Sequence, residues 1–292
     1  MFIEDFEKYL REERHLSDNT VTAYLSDIDH FDRFVSSKGV HDLREVAGSH
    51  VVAYLVELKK TSKSKPTVNR KLTSIKTFYK YLMKTGKITE DPTADIKSPR
   101  IEKKGIEFLS IEEIDRLMSL PDDTVKGLRD KAILELMYAT GLKASELIDL
   151  EEDDCNLQIG FVKCSGEHVK ARIVPIGRPA KNAIDKYLKE AKPQFTRGRN
   201  VKSLFVNYLG EPMTRQGLWK VIKEYGEKGE FGVKLTPQII RNSFAVHMLQ
   251  NGADVKSIQE LMGNEDVAAI QAYLQATRNR IKDVYDKTHP RA

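Results

Sequence analysis

A polar segment divides this chain into two parts, and it is the feature that most constrains the fold. Residues 90–105 (EDPTADIKSPRIEKKG) contain Pro92 and Pro99 and show no helical spacing of apolar residues. Proline disrupts a helix interior and disfavours helical backbone at the residue before it, so no regular element should run through this segment. The sequence therefore predicts two domains, at residues 1–89 and 106–292, joined by a linker at residues 90–105.

The first domain is predicted to be all helical. Its apolar residues recur every three or four positions, which is typical of helices with one buried face. Ser17 is the expected N-cap of a helix that buries Val21 to Val35, and Pro66 fits the first turn of another. Gly39 and Gly86 are expected to end these two helices.

The second domain is predicted to be mixed. Ser110 with Glu113 forms a capping-box pattern at the start of a helix. Phe161–Cys164 and Ala171–Ile176 have the pattern of a β-hairpin, and Leu204–Asn207 that of a further short strand. The remaining segments are predicted helices: Leu128–Ala139, Arg178–Lys189, Thr214–Tyr225, Thr236 or Pro237 to Gln250, Val255–Met262 and Ala268–Leu274. The fold class is therefore mainly α, with helices around a small antiparallel sheet in an α+β domain.

Positive charge is concentrated in one stretch of the first domain. Residues 1–58 hold 6 basic and 12 acidic residues, whereas residues 59–104 hold 14 basic and 4 acidic ones. A basic block within a folded domain is typical of a nucleic-acid surface. A solvated, lysine-rich surface explains the same charge equally well, so charge alone leaves both interpretations open.

Composition excludes several classes of protein. The two cysteines, Cys155 and Cys164, form no CxxC pair, which argues against a disulfide framework or a structural zinc site. The start of the chain is acidic and lacks the pattern of a signal peptide. No apolar run approaches the roughly 18 residues of a membrane span. We therefore expect a cytoplasmic protein with no metal and no membrane segment.

Several stretches together resemble one family. In chain order they include TVNRKLTSIKTFYKYL, YATGLKASELIDL, VKARIVPIG and LTPQIIRNSFAVHMLQ. Their order and spacing are similar to those of Xer-like tyrosine recombinases, or phage-type integrases, over essentially the whole chain. The resemblance implies a helical, SAM-like core-binding domain and a catalytic domain that together grip double-stranded DNA. It implies a tyrosine that attacks a phosphodiester, and no cofactor.

The resemblance also assigns six catalytic positions. Two keep the family's residue type, namely Tyr273 as nucleophile and Arg241 as a phosphate-binding arginine. Four differ: Lys143 replaces the first arginine, Glu167 the lysine of the hairpin, Gln238 a histidine and Asn264 a histidine or tryptophan.

These four replacements predict weakened chemistry. Lysine keeps a charge but lacks the bidentate fork of arginine, and amides do not exchange protons in the physiological range. A carboxylate at Glu167 would repel phosphate. A DNA-binding protein with reduced or lost catalysis is therefore the leading interpretation.

Alternatives stay open at this point. An active recombinase would use Tyr273 with Lys163 or Lys170 as substitute acid. Arg241 would otherwise be a structural ion-pair partner, for instance of Glu146. A third interpretation is a protein-interaction module that reuses the fold.

Expected DNA contacts lie on both domains. They are Lys63, Lys65, Thr67, Asn69, Arg70, Lys76, Lys170 and Arg172. The tail residues Ile281–Tyr285 resemble the family's segment that docks on a neighbouring protomer. We therefore expect self-association, or assembly with a related recombinase.

Overall fold

The computed structural model describes residues 2–99, 105–166, 169–263 and 270–277. The chain divides into two compact units, residues 1–103 and 104–292. The described residues form many helices and one small antiparallel sheet, so the predicted fold class is confirmed. Within these residues, none of the helices combines the length and the apolar character that crossing a membrane requires.

The first unit is helical throughout its regular elements. Its helices are α1 (Phe2–Lys8, continued by a π-helical turn at Tyr9–Glu13), α2 (Asp18–Ser36), α3 (Gly48–Lys60) and α4 (Lys65–Lys84). Ser64 caps α4 by accepting the backbone N–H of Thr67. Ser17 precedes α2 as predicted, but its hydroxyl bonds the Thr20 hydroxyl at 3.0 Å rather than a backbone N–H.

A buried carboxylate joins α2 to α4. Asp27 is 1% exposed and accepts hydrogen bonds from Arg70 Nη1, Lys71 Nζ and Ser74 Oγ at 2.5, 2.9 and 2.9 Å. Lys71 is itself buried, so its charge is compensated inside the unit. A buried charge is tolerated only when it is paired and hydrogen-bonded, and these three donors satisfy Asp27.

Part of the predicted linker lies against the first unit. The Lys76 ammonium donates to the Ile96 carbonyl at 2.5 Å, and Asn69 Nδ2 donates to the Pro99 carbonyl at 3.0 Å. Thr93 is buried. Residues 91–99 are therefore held to α4 by side chains whose polar groups would otherwise face solvent.

The second unit surrounds a helix that is buried on most sides. Its helices are α5 (Ile111–Ser119), α6 (Val125–Thr140), α7 (Ala144–Asp149), α8 (Arg178–Lys186), α9 (Lys192–Thr196), α10 (Arg215–Gly229), α11 (Pro237–Gln250), α12 (Val255–Met262) and the segment 270–277. Along α6, apolar side chains are buried around the helix, which makes α6 the centre of this core.

The sheet has three antiparallel strands in the order β1, β2, β3. They are Cys155–Asn156, Phe161–Gly166 and Val169–Pro175. The predicted hairpin is β2 and β3, with Val162 opposite Val174 and Cys164 opposite Arg172. The two-residue β1 is too short to leave an alternating pattern in the sequence.

Some predicted elements differ from the observed ones. The predicted strand at Leu204–Asn207 is wrong, because within the described part of the chain this segment forms a single isolated bridge, between Val206 and Pro212. The helix predicted at Arg178–Lys189 becomes π-helical after Lys186. The predicted helix Ala268–Leu274 is described from residue 270, and the tail lies outside the described residues.

Removing the Asp27 carboxylate should destabilise the first unit. Asp27→Ala would leave the buried Lys71 without its counter-charge, so we expect a loss of about 3–5 kcal/mol in the free energy of unfolding. Asp29→Ala is the matched control on the same helix, because Asp29 forms an exposed pair with Arg33. Its expected cost is below about 1 kcal/mol. Equal losses in denaturant unfolding would contradict the assigned role of Asp27.

Candidate functional site

A sharp corner between α6 and α7 begins the site. Gly141 ends α6 in the left-handed conformation, at φ +59°. A Cβ at this position would lie 2.3 Å from the Phe244 ring, so only glycine fits both the backbone and the space. Two residues later, the Lys143 backbone N–H donates to Glu146 Oε2 at 2.8 Å, and the Lys143 side chain is exposed.

Glu146 is paired with the hairpin. Arg172 on β3 donates two hydrogen bonds to its carboxylate, each 2.9 Å long, and Arg172 Nε donates to the Leu261 carbonyl at 2.7 Å. Burial disfavours the charged carboxylate, but the hydrogen bonds from Arg172 and the Lys143 N–H, with the charge of Arg172, outweigh burial. They hold the pKa of Glu146 below its ordinary value. The ion-pair partner of Glu146 is thus Arg172, whereas the alternative interpretation had named Arg241.

Arg241 is buried at the centre of the site. It is 2% exposed, and its Nη1 group donates to the Gly141 carbonyl while Nη2 donates to the Met262 carbonyl at 2.8 Å. Arg241 therefore joins the end of α6 to the end of α12. Arg172 and Arg241 bind consecutive carbonyls in the last turn of α12, where positive side chains also interact favourably with the helix dipole.

A chain of three polar side chains lies beside Arg241. Gln238 Nε2 donates to Asn242 Oδ1 at 2.9 Å, and the Tyr273 hydroxyl donates to the same oxygen at 3.2 Å. Gln238 is exposed, whereas Tyr273 is 1% exposed. Asn242 Nδ2 donates to the Glu107 carbonyl at 2.9 Å.

An open cavity of about 410 Å³ collects several of the predicted residues. Lys143, Gln238 and Arg241 line it, together with Arg215 and Trp219 from α10. Sequence reasoning missed Arg215, Trp219 and Asn242. Their only signal was a polar or aromatic residue on an amphipathic helix, which does not distinguish a site from a surface.

The other predicted residues are distributed over both units. Glu167 and Asn264 lie outside the described residues, and Lys170 is described only by its backbone on β3. The Arg172 guanidinium is paired with the Glu146 carboxylate. The remaining predicted DNA contacts stand on or just before α4 in the first unit: Lys63, Lys65, Thr67, Asn69, Arg70 and Lys76.

Most of the chain matches the models of one protein family. Residues 107–280 match the phage integrase family, and residues 3–86 match its N-terminal SAM-like domain. The chain therefore belongs to the phage integrase family.

Proteins with similar sequences are named tyrosine recombinases. Tyrosine recombinase XerD of Listeria monocytogenes is 39% identical over 293 residues, which cover 99% of each protein. A putative tyrosine recombinase of Caldanaerobacter subterraneus is 42% identical over 290 residues, 99% of this chain and 98% of that protein.

Solved structures share the fold. The Tn1549 transposon integrase in complex with a circular intermediate DNA has a TM-score of 0.73 at 17% identity, over 97% of this chain and 99% of that one. A lambda integrase dimer bound to a core site has a TM-score of 0.73 at 16% identity, over 96% and 95% of the two chains.

Breaking the Glu146–Arg172 pair should destabilise the second unit. Glu146→Gln would leave the buried Arg172 guanidinium without a counter-charge, so we expect a loss of about 3–5 kcal/mol in unfolding free energy. Glu211→Gln is the matched control, because its pair with Arg199 is about half exposed and should contribute less than about 1 kcal/mol.

The Glu146 contribution should also depend on pH. Because folding lowers the pKa of Glu146, its stabilisation is complete above the unfolded value near 4.3 and disappears as pH falls through the lower folded value. The difference in stability between wild type and Glu146→Gln should therefore shrink below about pH 4. A difference that is constant from pH 7 to pH 3 would contradict this.

Proposed function

We propose that this protein binds specific sites on double-stranded DNA and acts in DNA recombination or integration with strongly reduced strand cleavage of its own. Family membership over the whole chain supports the DNA-binding part of this proposal. The fold it shares with integrases solved on DNA supports the same part. Its place of action would be the cytoplasm, where bacterial-type chromosomal DNA lies.

The main support for reduced cleavage is the hydrogen bond that the Gln238 side chain donates to Asn242. This side chain stands where the family resemblance expects a proton-transferring histidine, and its amide donates to Asn242. An amide has no titration near neutral pH, so it cannot act as general acid or base. Loss of such a group typically lowers the rate about 10²- to 10⁴-fold.

Charge in the cavity is kept, although its geometry has changed. Lys143 offers a single ammonium where an arginine would offer two parallel donors. Arg241 directs its terminal nitrogens at backbone carbonyls, which fixes a positive charge beside the cavity. The cavity thus suits phosphate binding better than it suits transition-state stabilisation, which needs preorganised donors.

The start of α4 supplies the proposed DNA contacts of the first unit. Lys63 and Lys65 are exposed, and among the described residues neither has an ion-pair partner. Arg70 is about half exposed beside Asp27, so part of its guanidinium faces solvent. Assembly with another protomer through Ile281–Tyr285 is part of the same proposal and rests on the family resemblance alone.

DNA affinity should fall steeply as salt concentration rises. Lys63 and Lys65, before and at the start of α4, should contribute to the slope of log affinity against log salt concentration. Each phosphate contact adds about 0.9 to the slope of log affinity against log salt, so Lys63→Gln with Lys65→Gln should lower it by roughly 2. Lys8→Gln, an exposed lysine in the acidic part of the same unit, is the control and should change little. A wild-type affinity that is indifferent to salt between about 50 and 200 mM would overturn the DNA-binding proposal.

A nicked suicide duplex should shift the protein on a native gel without yielding a covalent band on a denaturing gel. Such a substrate traps the phosphotyrosyl adduct of any active member. A covalent band that disappears in Tyr273→Phe would show an active recombinase with a rearranged site. Self-association without any DNA shift would favour the interaction module instead.

Restoring the family's residue types should restore cleavage. The quadruple variant Lys143→Arg, Glu167→Lys, Gln238→His and Asn264→His is expected to form a covalent adduct on the same duplex, because it carries the residue types that the family resemblance assigns to these four positions. Adding Tyr273→Phe should abolish that adduct. Continued inactivity of the folded, DNA-binding quadruple variant would mean that other residues limit the chemistry.

A further inference from the structure

The buried amide of Asn242 lies where the cavity meets Tyr273. Its oxygen accepts from Gln238 at 2.9 Å and from the Tyr273 hydroxyl at 3.2 Å. Asn242 is 8% exposed and Tyr273 is 1% exposed. Gln238 lines the cavity, whereas Tyr273 is enclosed in the unit. The Asn242 oxygen therefore connects a side chain at the cavity with a buried one.

The orientation of this amide is fixed by its second contact. Asn242 Nδ2 lies 2.9 Å from the backbone carbonyl of Glu107, which accepts hydrogen bonds and cannot donate one. The nitrogen must therefore face Glu107, and the oxygen must face Tyr273 and Gln238. Gln238 and Asn242 are four residues apart on α11, so they lie on one face of that helix.

We propose that Asn242 is a positioning residue that holds the Tyr273 hydroxyl in its buried place. Tyr273 then reaches a bound phosphate only after this hydrogen bond breaks. The inference takes the role of Tyr273 from the proposed function. The hydrogen bond itself is a property of the free protein, so it is measurable without DNA or cleavage.

The test places 3-fluorotyrosine at position 273 of the full chain and records its ¹⁹F resonance in the absence of DNA. The solvent isotope shift between H₂O and D₂O reports how exposed the ring is. Asn242→Leu keeps the branched side-chain shape and removes the acceptor, whereas Asn242→Ala removes both. Asn251→Ala is the matched control, because it removes an asparagine amide at the other end of α11.

We expect both Asn242 variants to raise the exposed population of Tyr273 by roughly fivefold, the usual effect of one net hydrogen bond. The control should resemble wild type. If the folded Asn242→Leu variant keeps the wild-type resonance and isotope shift, the hydrogen bond to Asn242 does not hold Tyr273 and the inference is wrong. Should that variant not fold, the same outcome in Asn242→Ala decides against it. Failure of DNA binding or of the cleavage predictions would leave this result untouched, so the two proposals fail separately.

Discussion

The buried guanidinium of Arg241 is the interaction on which the second unit's site depends. A cation that is 2% exposed has to be satisfied by fixed acceptors, and these include the carbonyls of Gly141 and Met262. Arg241 thereby sets the distance between the end of α6 and the end of α12. Lys143 is only two residues after Gly141. The contact between Arg241 and the Gly141 carbonyl therefore also positions the backbone of Lys143. The part of the cavity lined by Leu142 and Lys143 therefore depends on where Arg241 is buried.

Each unit uses a buried carboxylate to organise basic side chains. Asp27 accepts from Arg70 and Lys71, and Glu146 accepts from Arg172. In both places a basic residue that adds to the net charge of the sequence is paired with a buried carboxylate instead of facing solvent. The basic stretch of the sequence therefore overstates the positive surface that a polyanion would meet. Exposed lysines such as Lys63 and Lys65 would attract a polyanion from a distance, because their charge is not directed inward. This attraction acts over about a Debye length.

The elements that sequence predicted well are those with local causes. Helical spacing, Pro66 in a first turn and the starts at Ser110 and Thr236 depend on residues within one turn, so α4, α5 and α11 were found close to their observed bounds. Contacts across many residues leave no such pattern. Asn242 meets Tyr273 and Glu107 only in the folded unit. The segment Leu204–Asn207 has apolar residues like a strand, but among the described residues it has only the Val206–Pro212 bridge and no neighbouring strand with which to form a ladder.

The lining of the cavity has a consequence for what the site can sense. Among the described residues that line it, the charged side chains are Lys143, Arg215 and Arg241, and there is no histidine, cysteine or carboxylate. Lysine and arginine side chains carry their charge throughout the physiological range. An anion in this cavity would thus meet a positive field from Lys143, Arg215 and Arg241. Ionic strength, which screens that field, is the cellular variable to which its occupancy would respond.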